Sequence, residues 1–177
     1  HRSLFGMSLI EAVVCLAIIG TLAALILPAV MAAREAARAA QCRSTLAQVG
    51  LAVHCYTSMH HVFPPNVTTP WTIAVLPHLD HDEMFTAFDH RYDCFSSAQN
   101  SLLGTMDLAV YHCPSQAVIA PQPEGWIISH YAANLEAVQP GVGPNHCLDG
   151  TSNTGLAVEI STRVGLPYIS GPALNFS

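Results

Sequence analysis

Between residues 12 and 33 the only polar side chain is Thr21. As a helix at about 1.5 Å per residue this run covers roughly 33 Å, enough to cross a hydrocarbon core. After Pro28 the chain reads Met31-Ala32-Ala33-Arg34-Glu35-Ala36-Ala37-Arg38-Ala39-Ala40, a composition of strong helix formers. Glu35 and Arg38 stand at i,i+3 and are placed to pair on the helix surface. Further on, Cys42, Leu46, Val49, Val53 and Tyr56 recur at spacings of four and three, which puts one apolar stripe on one helical face. That stripe is expected to bury against the residues that follow. Phe63-Pro64-Pro65-Asn66 is a breaker. The pattern therefore predicts one helix from about Met7 to near Met59, roughly 80 Å long, which is more than a small globular domain needs.

The remainder reads as an α+β head. Residues 71–88, with Pro77 among them, predict a short helical hairpin or helix. Three short apolar runs bounded by turn residues, 108–112, 126–131 and 155–160, predict strands. Residues 140–144, Pro-Gly-Val-Gly-Pro, form a loop. There is no internal repeat and no low-complexity linker.

Composition narrows the function. The 177 residues suffice for one modest domain. All six basic residues are arginines (Arg2, Arg34, Arg38, Arg43, Arg91 and Arg163) and the formal net charge is −6. Without a basic patch or stripe, no nucleic-acid partner is expected. Of six cysteines, Cys15 lies in the apolar run and reads as a small buried hydrophobe. The other five are Cys42, Cys55, Cys94, Cys113 and Cys147. In an oxidising compartment they favour disulfides, and their odd number leaves at least one thiol free or paired between molecules. Their spacings lack the close pairs of a zinc ribbon. Cys42 lies on the inward stripe and is placed to staple the helix to the head, whereas Cys55 projects from nearly the opposite face.

Candidate chemistry elsewhere is thin. The ten histidines are densest at His78-Leu79-Asp80-His81-Asp82-Glu83, with His60, His61 and His90 nearby. If this segment is helical, His78 and Asp82 are neighbours at i,i+4. The His-Glu-x-x-His pattern of a metalloenzyme is absent, and a solvated polar face is expected. Asp80, Asp82 and Glu83 are the carboxylates a calcium ion would use, although they match no recognised calcium loop. No other cofactor or metal is expected. Asp149-Gly150-Thr151-Ser152-Asn153-Thr154 lacks the second glycine of a nucleophile elbow, since Thr154 stands there, and reads as a self-capping turn. Asn66-Val67-Thr68 and Asn175-Phe176-Ser177 match the N-glycosylation pattern, which arises often by chance.

The N-terminus carries the specific signal. Gly6-Met7-Ser8-Leu9-Ile10-Glu11 leads straight into the apolar run. A secretory signal has a shorter apolar core followed by a small-residue cleavage site. A plain membrane anchor does not account for Glu11, because a carboxylate in a membrane helix costs about 2.5–3.5 kcal/mol on insertion scales and normally has a partner. The hexapeptide resembles the prepilin peptidase motif of type IV pilins and type II secretion pseudopilins. That resemblance implies cleavage between Gly6 and Met7 by prepilin peptidase and methylation of the new amine on Met7. It also implies that Glu11, fifth in the mature chain, meets the N-terminal amine of a neighbouring subunit. Opposite charges attract strongly in a low-dielectric medium, which makes that pairing physically sensible. Methionine replaces the phenylalanine most common at the first mature position. Pro28 falls where these proteins usually carry a helix-loosening proline.

The head resembles a large bacterial family of pilin-like proteins built on a domain of unknown function. The resemblance rests on Arg34-Glu35-Ala36-Ala37-Arg38, Gln41-Cys42, Leu46-Ala47-Gln48-Val49-Gly50-Leu51-Ala52, Phe63-Pro64-Pro65, residues 71–79, Tyr111-His112-Cys113-Pro114-Ser115 and Asp149-Gly150-Thr151-Ser152-Asn153-Thr154, in the family's order. It implies a disulfide between Cys42 and Cys113. It departs at the end, where the histidine that many members place upstream of an Asp-Gly falls on Gln139. Ser177 is expected to close either a short member or a truncated one, and part of the leader is expected to precede His1.

Together these readings predict a pilin-like α+β protein. Residues 1–6 are a leader remnant, 7–33 a membrane-spanning and filament-core helix, and 34–177 a head that includes the second half of the helix and carries an antiparallel sheet. The expected role is a structural subunit, not an enzyme, in a filament of identical or related subunits. It is expected in the bacterial inner membrane with its head outside the cytoplasm, and in a periplasmic or extracellular filament after assembly. The rivals are a non-polymerising, membrane-anchored binding protein of the envelope and a hydrolase using the histidine-rich segment.

Overall fold

The computed structural model of the chain describes residues 8–116, 128–148, 150–160, 166–167 and 173–174. One helix, α1 (Leu9–His60), runs through two units, the first ending at Arg38 and the second starting at Ala39.

In the first unit the apolar residues of α1 stand in the open, among them Leu9, Ile10, Val13, Leu16, Ile19 and Leu25. This stretch is long and apolar enough to cross a membrane. Its one polar interior residue is satisfied locally, because the Thr21 hydroxyl donates to the Ile18 carbonyl at 2.8 Å. The helix continues through Pro28, which has no N–H to offer the carbonyl of Ala24. Arg38 donates to Glu35 from Nε at 2.8 Å. Both side chains are exposed, so the pair contributes well under about 1 kcal/mol.

The second unit holds the core. Here α1 turns Cys42, Val49, Ala52, Val53 and Thr57 inward, while Leu46 and Tyr56 pack half-buried against the same cluster. The apolar stripe of the sequence is thus the buried face. The helix stops at His61, whose N–H still bonds to the Thr57 carbonyl but whose φ of 61° turns the chain out of the helix. The departing strand of chain is tied down by Phe63 N–H to the Val142 carbonyl and Asn66 N–H to the Val138 carbonyl.

Residues 71–88 are helical, in three short pieces: α2 (Trp71–Ala74), a 3-10 turn (Leu76–Leu79) and α3 (Asp82–Ala87). Trp71, Ile73, Val75 and Leu76 are fully buried. The break falls at Asp80, which adopts φ 60°. His78 and Asp82 therefore do not share a helix, contrary to the i,i+4 expectation. A fourth helix, α4 (Ala98–Leu103), follows.

The strands make two small sheets. β1 (Ile128–Ser129) pairs antiparallel with β4 (Leu166–Pro167). β2 (Tyr131–Asn134) lies between β3 (Ala157–Glu159), antiparallel, and β5 (Ala173–Leu174), parallel. The architecture is α+β, a long N-terminal helix with a small mixed head. Two strand expectations are corrected. The run 126–131, of which residues 126 and 127 lie outside the described residues, is not one strand. The Ser129 hydroxyl donates to the Tyr131 carbonyl and accepts the Tyr131 N–H, forming a local turn at His130 that sends β1 and β2 into different sheets. The run 108–112 is not a strand either. It forms a 3-10 turn, Ala109–Tyr111, which delivers Tyr111 edge-on to Trp71 at 6.4 Å and lets its hydroxyl donate to the Thr72 carbonyl. A buried tyrosine needs that partner, and tertiary packing outweighs the β preference of Val110 and Tyr111.

Candidate functional site

The N-terminal site is visible only from Ser8 onward. Gly6 and Met7, the expected cleavage and methylation positions, lie outside the described residues. Glu11 is exposed, and its Oε2 accepts the backbone N–H of Ser8 at 2.8 Å. The Ala12 N–H bonds in turn to the Ser8 carbonyl. This is the N3 half of a capping box, with a carboxylate where the helix dipole favours negative charge.

The head's densest chemistry surrounds a disulfide between Cys42 and Cys113, 71 positions apart in sequence. Cys42 comes from the inward face of α1 and Cys113 from the chain just after the Tyr111 turn. Both are almost fully buried. Closing a loop of that length stabilises by about 4 kcal/mol in the chain-entropy picture. Around it, the Tyr131 hydroxyl donates to the Cys42 carbonyl at 3.4 Å, and the Cys113 N–H donates to Nδ1 of His130 at 2.8 Å. His130 also donates its own N–H to the Tyr111 carbonyl and accepts the Ile160 N–H, so one residue ties the cysteine segment to the end of β3. Burial, helped by nearby His112, pushes His130 below the ordinary histidine range, with Glu159 working the other way. Burial first, then the Glu159 carboxylate, pushes the Tyr131 phenol up to about 12.

The remaining cysteines divide by exposure: Cys15 and Cys55 are free and exposed, Cys94 is free and buried, and Cys147 is free and half-buried. The outward projection of Cys55 agrees with the sequence reading. The exposure of Cys15 does not, because the helix around it has no protein cover in this unit.

The histidine-rich segment does not converge. His60, His78 and His90 line an open groove of about 560 Å³ with Tyr56 and Phe85, but they serve there as rings. His60 lies 4.2 Å from Tyr56 between centroids, and His90 lies 4.7 Å from Phe85. His90 has both nitrogens engaged, with the Thr69 hydroxyl and the Phe85 carbonyl. Asp80 sits at the break itself and Asp82 and Glu83 just beyond it, all three exposed. Among the described residues, one group of histidine, cysteine and acidic atoms is close enough to hold a metal: Cys42, Cys113 and Glu159. Its two sulfurs are bonded to each other, so they are not ligands. Gly150 to Thr154 form a self-bonded turn, with Asn153 N–H and the Thr154 hydroxyl both on the Gly150 carbonyl; Asp149 lies outside the described residues.

Sequence reasoning missed His130, Glu159 and Asn100. The last is fully buried and clamps a loop, accepting the Asp89 N–H and donating to the Asp89 carbonyl. A signal for its helix was available in Ser96-Ser97, a start pattern just before Ala98.

No curated protein and no solved structure matches the chain. Residues 31–138, more than half of the chain and including α2 through α4 and Cys113, match the family described as a protein of unknown function (DUF1559), and the chain belongs to that family.

Proposed function

We propose that the chain is a structural subunit of a type IV pilus-like or type II secretion pseudopilus-like filament, with no enzymatic activity. Prepilin peptidase cuts after Gly6 and methylates Met7. The mature chain then waits in the bacterial inner membrane with its head outside the cytoplasm, and packs its apolar helix beside copies of itself or related subunits. The observation that carries this reading is α1: apolar and uncovered over its first half, with a single carboxylate at its start, and continuous with the helix that forms the core of a disulfide-bonded head. Membership of a family associated with pilin-like proteins supports it. Head-to-tail repetition of one contact gives an open fibre rather than a closed ring.

The test is Glu11→Gln. Glutamine keeps an acceptor for the Ser8 N–H and so keeps the cap, while removing the charge that an assembling amine would meet. The native chain should be found in sedimentable fibres. The Glu11→Gln chain should lose its leader and stay in the membrane, with fibre yield reduced at least tenfold. Equal fibre yields would reduce Glu11 to a helix cap, and a native chain that never leaves the membrane would favour a non-polymerising envelope binding protein.

A further inference from the structure

Cys42 and Cys113 are buried to the point that little of either reaches solvent, yet Glu159, on β3 beside them, is exposed. Its carboxylate oxygen lies within 4.8 Å of both sulfurs. Gln116 holds the carboxylate in place, donating from Nε2 to Oε1 at 2.9 Å. A carboxylate held this close to a disulfide has a definite kinetic consequence.

We propose that Glu159 is an electrostatic guard on the Cys42–Cys113 bridge, repelling the thiolates that would open it. Reduction begins when an external thiolate bonds to one cysteine Sγ. The sulfur–sulfur bond breaks, its electron pair leaves on the other Sγ, and that thiolate takes a proton from solvent. A second external thiolate then attacks the external sulfur of the mixed disulfide, releasing the oxidised reductant and the second cysteine. Two external thiols are oxidised and one protein disulfide is reduced. Only thiolates attack, and the cysteine sulfur also departs as an anion. The carboxylate therefore opposes both the arriving and the departing charge. At about 5 Å and near-aqueous dielectric this repulsion slows exchange by about three- to tenfold. The field of Glu159 is already felt by its neighbours, adding to the rise of the Tyr131 phenol after burial. The guard does not depend on filament assembly, since every atom involved belongs to one head.

The experiment uses the oxidised full chain in detergent with three thiols of graded charge: cysteamine, 2-mercaptoethanol and 3-mercaptopropionate. Opening of the bridge is followed by differential alkylation and peptide mass spectrometry at Cys42 and Cys113, with rates expressed per thiolate. In the native chain the anionic reagent should be slowest and cysteamine fastest, with the spread narrowing at high salt as the charges are screened. Glu159→Gln retains an acceptor for Gln116 and should speed 3-mercaptopropionate about three- to tenfold while changing cysteamine less than about twofold. Uniform acceleration of all three would mean loosened packing and overturn the proposal. So would rates in the native chain that ignore reagent charge and salt, a result that needs no variant to fold.

Discussion

The backbone N–H of Cys113 donates to Nδ1 of His130 at 2.8 Å. That nitrogen must carry a lone pair, so the bond that secures the disulfide segment exists only while the imidazole is neutral. Protonation would set a ring N–H against the N–H of Cys113, beside a His112 that pairs with Asp107 at 3.3 Å. Burial has already lowered the affinity of His130 for a proton in the folded state.

A histidine whose folded pKa lies below its unfolded value of about 6.5 binds more protons when unfolded, over the window between the two values. Its stabilising contribution is present above about pH 6.5 and is lost as pH falls through the lower, folded value. The thermal midpoint of the chain should therefore fall between pH 7 and pH 5. His130→Asn, which places an amide oxygen near the Nδ1 position, should flatten that part of the profile. The difference should amount to about 1 kcal/mol, the worth of one hydrogen bond. Near-ultraviolet circular dichroism at each pH reads it, and parallel profiles for the two chains would contradict the assignment.

Two glycines should respond oppositely to the same change. A Cβ on Gly143 would lie 2.6 Å from the His61 carbonyl oxygen and 3.3 Å from the Val62 Cα. Both are backbone atoms at the turn that ends α1, so neither yields easily. Gly143→Ala should destabilise by about 1–3 kcal/mol. Gly50 lies inside α1 with nothing within 4 Å of a built Cβ, and Gly50→Ala should stabilise by about 0.5–1 kcal/mol. Denaturant midpoints of the two variants would show it, and a shift of the same sign in both would rule out the account of how residue 143 meets the helix end.

The parts of the fold governed by local periodicity were legible in the sequence. The α1 stripe shows because a 3.6-residue period against one core repeats over several turns. The strand within 155–160 shows instead as a short apolar run bounded by turn residues. The segment 108–112 misled because its apolar run is a strand signal by propensity alone, whereas Tyr111 is placed by Trp71 and Thr72, residues 39 or more positions away in sequence. The surroundings of the disulfide were hidden for the same reason. Cys113 meets His130 across 17 positions and Gln116 meets Glu159 across 43, contacts that no spacing rule encodes. The Cys42 and Cys113 pairing came from family resemblance; only the inward placing of Cys42 followed from helical periodicity.

Processing of α1 after Gly6 is tested most directly by intact-mass and N-terminal peptide mass spectrometry of the protein taken from its native membrane. The account predicts a mature chain that begins at an N-methylated Met7, with Glu11 as its fifth residue. A chain that keeps Gly6, or is cut elsewhere, would contradict it and leave a plain membrane-anchored head.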